Sequence, residues 1–202
     1  MEIKAIGFDY GGVIAGWPSS KFDLELCSIL EITVQEFQST YFEINHLLNK
    51  KELPRNDFFK LLLEKLHRSI HYDEVIKFLD SIPTHEINKD VLDLIKRLRI
   101  EGYKIGILSN NTIEMATRFR ESGLVNYFDA FVVSAEIGFM KPQIEAFQIF
   151  FKELGVSPSE TVFIDDTFNS LIGAEQIGFQ PILFTNYDDL ILQLRKLGIK
   201  WV

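Results

Sequence analysis

Cysteine is almost missing from this sequence: Cys27 stands alone among 202 residues. No internal disulfide is available, which points to a reducing compartment and makes a buried structural thiol the default role of Cys27. Positive charge is also short, with 21 Lys and Arg against 29 Asp and Glu and a formal net charge of −8. Such a surface repels nucleic-acid backbones and anionic membranes, and the basic residues are scattered rather than striped, so neither partner is expected and small substrates fit better. No apolar run approaches the roughly 20 residues that span a bilayer. The N-terminus lacks a basic region followed by a cleavable apolar segment, so the expected location is cytoplasmic. The composition leaves the oligomeric state open.

What is present is a hydrophobic fraction of 47%, ample for one core domain and a modest insertion. Residues 3–8 (IKAIGF), 103–108, 131–134, 161–164 and 181–184 are short, apolar and rich in Ile, Val and Phe. They read as strands buried on both faces. From residue 87 onward they alternate with helical patterns at about 87–101, 112–122, 143–154, 168–177 and 188–197, with Gly102, Gly123, Gly155, Gly178 and Gly198 just past the helices. This cadence predicts an α/β fold, a Rossmann-like parallel sheet with helices on both faces. Residues 16–86 break it with amphipathic helical stretches, no convincing strand, and a capping box from Thr33 to Glu36. The expected division is a core of residues 1–15 and 87–202 with an inserted α-helical cap over 16–86.

In an open parallel sheet, ligands bind beyond the carboxyl ends of the strands. Four strands end in polar residues: Asp9 after the first, Ser109 and Asn110 after the second, Ser134 after the third, Asp165 and Asp166 after the fourth. Lys141 follows in GFMKPQIEAF, with Pro142 suited to the first position of a helix. Asn111 can cap the next helix, with Glu114 three residues on, opening free amides toward the Ser109 loop and a phosphate. Adjacent acids after an apolar strand repel each other, and a cation relieves that. Carboxylates at strand ends favour a hard cation such as Mg²⁺.

This ordered set resembles the haloacid dehalogenase-like hydrolase superfamily, over residues 1–16 and about 87–202. The resemblance implies that Asp9 is a nucleophile that forms an aspartyl-phosphate, with Ser109, Asn110 and Lys141 neutralising and orienting the phosphoryl oxygens. It further implies Mg²⁺ held by the Asp9 carboxylate, the Gly11 carbonyl and Asp166, with Asp165 behind them. The gap from Asp9 to Ser109 suits the family's helical cap at its first insertion point, and the short interval from Ser109 to Lys141 leaves the second empty.

One departure bears on chemistry. Family phosphatases usually carry a second aspartate, a general acid, where this chain has Gly11. Loss of a positioned acid, typically worth about 10²–10⁴-fold, penalises poor leaving groups most. The Asp-x-Gly motif is similar to that of bacterial sugar-1-phosphate phosphatases, whose anomeric esters leave more readily. The expected function is therefore a Mg²⁺-dependent phosphatase of small phosphorylated metabolites, sugar phosphates included. A 2-haloacid dehalogenase is the enzymatic rival, although its chemistry gives the acidic pair no purpose. A phosphosugar-binding protein with little turnover is the third reading, because Ser170 stands where relatives often have Asn or Asp, with Asn169 one step earlier. Tyr10 reads as a packing residue rather than a replacement acid. Trp17 suits either the substrate pocket or an anchor for its loop, and His67 and His71 read as a solvated face.

Overall fold

Five strands carry the fold: β1 (Ala5–Phe8), β2 (Lys104–Ser109), β3 (Ala130–Val133), β4 (Thr161–Asp165) and β5 (Gln180–Leu183). All pair in parallel, in the order β3-β2-β1-β4-β5. The structure, a computed structural model, describes residues 2–50, 52–82 and 86–200. Helices α1 (Ser19–Leu30), α2 (Val34–Asn49), α3 (Arg55–Lys65) and α4 (Tyr72–Ser81) form the insertion after β1, and α5 (Lys89–Ile100) leads into β2. The later helices are α6 (Ile113–Glu121), α7 (Ser134–Ile137), α8 (Ile144–Leu154), α9 (Ala174–Ile177) and α10 (Tyr187–Lys196). Among the described residues, no helix is long and apolar enough to cross a membrane.

Alternation along the central strand creates two layers, since successive strand side chains point to opposite faces. Ile6 and Phe8 pack with Val91, Leu94, Ile95 and Leu98 of α5 and Leu190 and Leu194 of α10. Ala5 faces the other way, toward Phe147, Phe150, Phe151 and Leu154 of α8, whose i, i+3, i+4, i+7 spacing makes one apolar stripe. Gly7 and Gly106 are glycine because the Phe150 ring lies against them: a Cβ would come within 2.8 Å and 2.6 Å of it. The insertion has a third cluster of its own, including Leu26, Cys27, Leu30, Phe37, Phe58, Phe59 and Leu62. The Thr33–Glu36 capping box starts α2 as expected. Chain entry and exit run side by side, with Asn88 N donating to Ile14 O and Gly16 N to Glu86 O.

Three local expectations differ. The helix expected at 168–177 splits into a 3₁₀ turn at Phe168–Leu171 and the short α9, because Gly173 enters the left-handed region at φ 90°. Thr112, not Asn111, caps α6: the Asn111 side chain accepts the Thr112 amide, and Thr112 Oγ1 accepts from Met115 N. Pro142 precedes the Gln143 N-cap of α8 instead of occupying its first turn; Met140 and Gln143 exchange hydrogen bonds and form a turn around it.

Candidate active site

The carboxyl ends of β1, β2 and β4 open into one cavity of about 500 Å³, roofed by α1 and α2 and lined by Asp9, Gly11, Ser109, Asn110, Lys141 and Asp166. Asp9 lies there because its amide continues the β1–β4 ladder, donating to Ile164 O at 2.8 Å. That bond seats Asp9 beside Asp165, the last residue of β4. Ligand atoms of Asp9, Asp165 and Asp166 all lie within 4.8 Å of one another.

Lys141 ties this group together. Its Nζ donates to Asp165 Oδ2 at 2.5 Å and lies 2.9 Å from Asp9 Oδ1. Side-chain exposure is 1% for Lys141 and 0% for Asp165, whereas Asp9 keeps 14%, so Asp9 is the most open member of this trio. Burial alone would lower the Lys141 pKa, but the Asp165 and Asp9 charges outweigh it and hold the ammonium above the ordinary lysine value. Burial, with the Asp9 charge adding, lifts Asp166 to about 6. Asp165 also rises, first through burial, against the pull of Lys141.

Three carboxylates against one ammonium leave two negative charges without local compensation. Asp9 Oδ1 is buried and makes no hydrogen bond despite its closeness to Nζ. Gly12 has no side chain where a Cβ would strike Asp166 Oδ2 at 2.2 Å. An all-oxygen group with a charge deficit of two fits a divalent hard cation. Asp166 lines the cavity and accepts from Ser19 N at Oδ2 and from Thr167 Oγ1 at Oδ1, while Asp165 accepts from Lys141 at Oδ2 and from the Thr167 amide at Oδ1, 2.8 Å away. Asp165 thus anchors Lys141, and Asp166 is the one of the pair that lines the cavity.

Other residues from the sequence reading fall as follows. Ser109, 3% exposed, ends β2 at the cavity wall. Asn110 lines the cavity too, but its side chain clasps the Lys141 main chain, accepting from Lys141 N at 2.7 Å and donating to Lys141 O at 2.9 Å. Its principal work is to position Lys141, and only its second amide hydrogen remains for an anion. Asn169 and Ser170 line the cavity. Trp17 does both things open to it, lining the cavity and packing on Phe78 of α4. Tyr10 lies in the sheet core, edge-on to Phe119, and is not among the cavity-lining residues. His67 is exposed, and His71 sits 3.5 Å from Glu74.

The sequence reading missed the residues that close the cavity from the insertion. Ser19 N, at the start of α1, donates to Asp166 Oδ2, and Ser19 Oγ lies 3.1 Å from Thr167 Oγ1. Ser134 Oγ donates to Asn49 O at the end of α2. Asp23, Gln38, Asn45 and Asn49 face the same space. One signal was available: Gln38, Phe42, Asn45 and Asn49 recur at helical spacing along α2, beside the apolar stripe Phe37, Tyr41, Ile44 and Leu48.

Comparison with known proteins gives concordant matches. A family model described as haloacid dehalogenase-like hydrolase matches residues 3–178. A glyceraldehyde 3-phosphate phosphatase of Methanothermobacter thermautotrophicus is 34% identical over 43% of this chain and 39% of its own length. A D-ribitol-5-phosphate phosphatase of Bacteroides thetaiotaomicron is 28% identical over 88% of this chain and 90% of its own. The solved structure of a HAD-like family hydrolase from Porphyromonas gingivalis superposes with a TM-score of 0.66 at 25% identity, covering 98% of each chain.

Proposed function

The chain belongs to the haloacid dehalogenase-like hydrolases, and from that premise we propose that it is a Mg²⁺-dependent phosphatase of small phosphorylated metabolites, sugar phosphates among them. In this reading residues 1–15 and 87–202 are the catalytic core and residues 16–86 its cap. One observation carries it: Asp9, Lys141 and Asp166, remote in sequence, meet at a single cavity where negative charge exceeds positive by two. Two relatives with phosphatase names, each acting on a phosphorylated metabolite, support the same class.

Asp9, the accessible carboxylate beside Lys141, attacks phosphorus. The phosphorus–oxygen bond of the ester breaks, the leaving oxygen departs with its electron pair and takes a proton from solvent, and water then hydrolyses the acyl phosphate, releasing inorganic phosphate and restoring Asp9. Lys141 and the Ser109 hydroxyl offset charge on the phosphoryl oxygens, a task for fixed groups in a secluded site. Asn110 and Asp165 hold Lys141 in place from its main-chain and side-chain ends. When bound, Mg²⁺ would be held by Asp9, the Gly11 carbonyl and Asp166, and supplies positive charge for these carboxylates and the phosphoryl group. No second aspartate stands at position 11 to protonate the leaving oxygen, which favours anomeric sugar phosphates over ordinary alkyl esters.

The test is phosphate release from p-nitrophenyl phosphate and glucose 1-phosphate with Mg²⁺ or with chelator, alongside halide release from a 2-haloacid. Turnover is expected with Mg²⁺ alone, falling at least about 10³-fold in Asp9→Asn. Full activity in that variant, indifference to chelator, or halide release without phosphate release overturns the proposal.

A further inference from the structure

The cap side of the cavity carries a pattern that the phosphoryl chemistry does not use. Helix α2 presents two adjoining stripes. Phe37, Tyr41, Ile44 and Leu48 pack in the cap's apolar cluster, Phe37 and Tyr41 also reaching the cavity wall, while Gln38, Phe42, Asn45 and Asn49, at i, i+4, i+7 and i+11, line the same cavity as Asp9. Asn45 and Asn49 are each only 7% exposed. Yet neither side-chain amide is hydrogen-bonded among the described residues, and both open on the cavity rather than being sealed from solvent. Buried polar groups are normally satisfied, so a pair left open toward a cavity is arranged for something that enters it. Asp23 of α1, also 7% exposed, adds a carboxylate to which Gln38 Nε2 donates at 2.7 Å.

The chemistry of this set is specific. Side-chain amides donate and accept at once, as hydroxyl groups do, and Phe42 supplies an apolar face suited to the carbon side of a sugar. Among the described residues lining the cavity, Lys141 is the sole cation, and Asp9 and Asp165 already engage it. His46 and Lys50 open on a neighbouring cleft instead. A second phosphate or carboxylate on the substrate would therefore face Asp23 with no charge to pair it, and an unpaired charge buried in such a site is costly. A cationic leaving group would meet only one carboxylate, already hydrogen-bonded to Gln38, among three neutral amides.

We propose, resting on the phosphatase reading above, that Gln38, Asn45, Asn49 and Asp23 form the leaving-group subsite, and that it selects uncharged, polyhydroxylated monophosphate esters over substrates with a second anionic group. The proposal is tested on the whole chain in two ways. The first is kcat/KM with Mg²⁺ for glucose 1-phosphate and ribose 1-phosphate against glucose 1,6-bisphosphate, 2-phosphoglycolate, pyrophosphate and phosphocholine. The first pair is expected to lead by at least about tenfold, and Asn45→Leu to lower the ratio of glucose 1-phosphate to p-nitrophenyl phosphate turnover by about tenfold. The second is calorimetric binding of glucose 1-phosphate with Mg²⁺ to Asp9→Asn, with and without Asn45→Leu, where the added substitution is expected to weaken Kd about tenfold. A flat profile, preference for a bisphosphate, pyrophosphate or phosphocholine, or an Asn45→Leu ratio equal to that of the unsubstituted chain overturns it. If no ester at all is hydrolysed, the phosphatase reading falls by itself and the calorimetry decides the subsite: tenfold weakening upholds it, and equal Kd values or no binding remove it.

Discussion

At the scale of single residues, the site is a matter of which polar group is left accessible. Lys141, Asp165 and Asp9 form a chain of contacts in which Asp9 keeps the most exposure, and the proposed mechanism gives the attack to that carboxylate. Position 11 offers a direct experiment. A Cβ there meets nothing within 4 Å, so the first atom of the Gly11→Asp side chain has room. The variant is expected to raise kcat/KM for alkyl phosphates by about tenfold or more while changing p-nitrophenyl phosphate little, because only the poor leaving group needs the donated proton. Steady-state rates on both esters check it, and equal response of the two counts against the leaving-group argument. Asp9, Ser109, Lys141, Asp165 and Asp166 were legible as candidates because each follows, or stands near, an apolar strand end. The work of Asn110 was not, since it depends on a main chain 31 positions away.

At the scale of elements, packing decides. Gly7 leaves room for the Phe163 and Phe150 rings, and Gly106 for Phe150 of α8. Gly106→Ala would place its Cβ 2.6 Å from that ring, and overpacking of this kind costs about 1–3 kcal/mol. Urea denaturation is expected to show that loss, with part of it recovered when Phe150→Leu is added, since neighbouring substitutions couple. Within the cap, burial pushes the Cys27 thiol up to about 11 from its ordinary value of 9.0, with Asp23 and Glu36 adding. Between those values the folded cap keeps a proton that the unfolded chain releases, so this stability is whole below about pH 9 and declines as pH rises toward 11. Thermal melts across that range, and slow alkylation of native Cys27 by iodoacetamide at pH 8, are the expected readouts; alkylation as fast as in the unfolded chain contradicts them.

At the scale of the whole molecule, cap and core meet over the charged centre. Ser19 N bonds Asp166 from the cap, and Ser134 Oγ reaches back to Asn49 O, so the carboxylate assigned to the cation also docks the first cap helix. A divalent ion held as proposed would bind the folded state alone and raise its stability by about 2.7 kcal/mol at a concentration of 100 Kd. Differential scanning calorimetry is expected to show Tm rising with Mg²⁺ in the unsubstituted chain and far less in Asp166→Asn. Identical Mg²⁺ responses in the two would detach Asp166 from the ion.

The amino-acid order alone determined the parallel α/β architecture and the position of the helical insertion, because strand runs, helical periodicity and glycine stops are local signals read over a few residues. It also placed acids at strand ends and a lysine before the helix that follows the third strand. Tertiary structure alone decided which acid faces the cavity, which one anchors Lys141, and which face of α2 looks down on Asp9. Those outcomes depend on groups brought within hydrogen-bonding distance from segments as far apart as Ser19 and Asp166 or Asn49 and Ser134, and no local pattern records a contact that exists only once the sheet and its cap have packed.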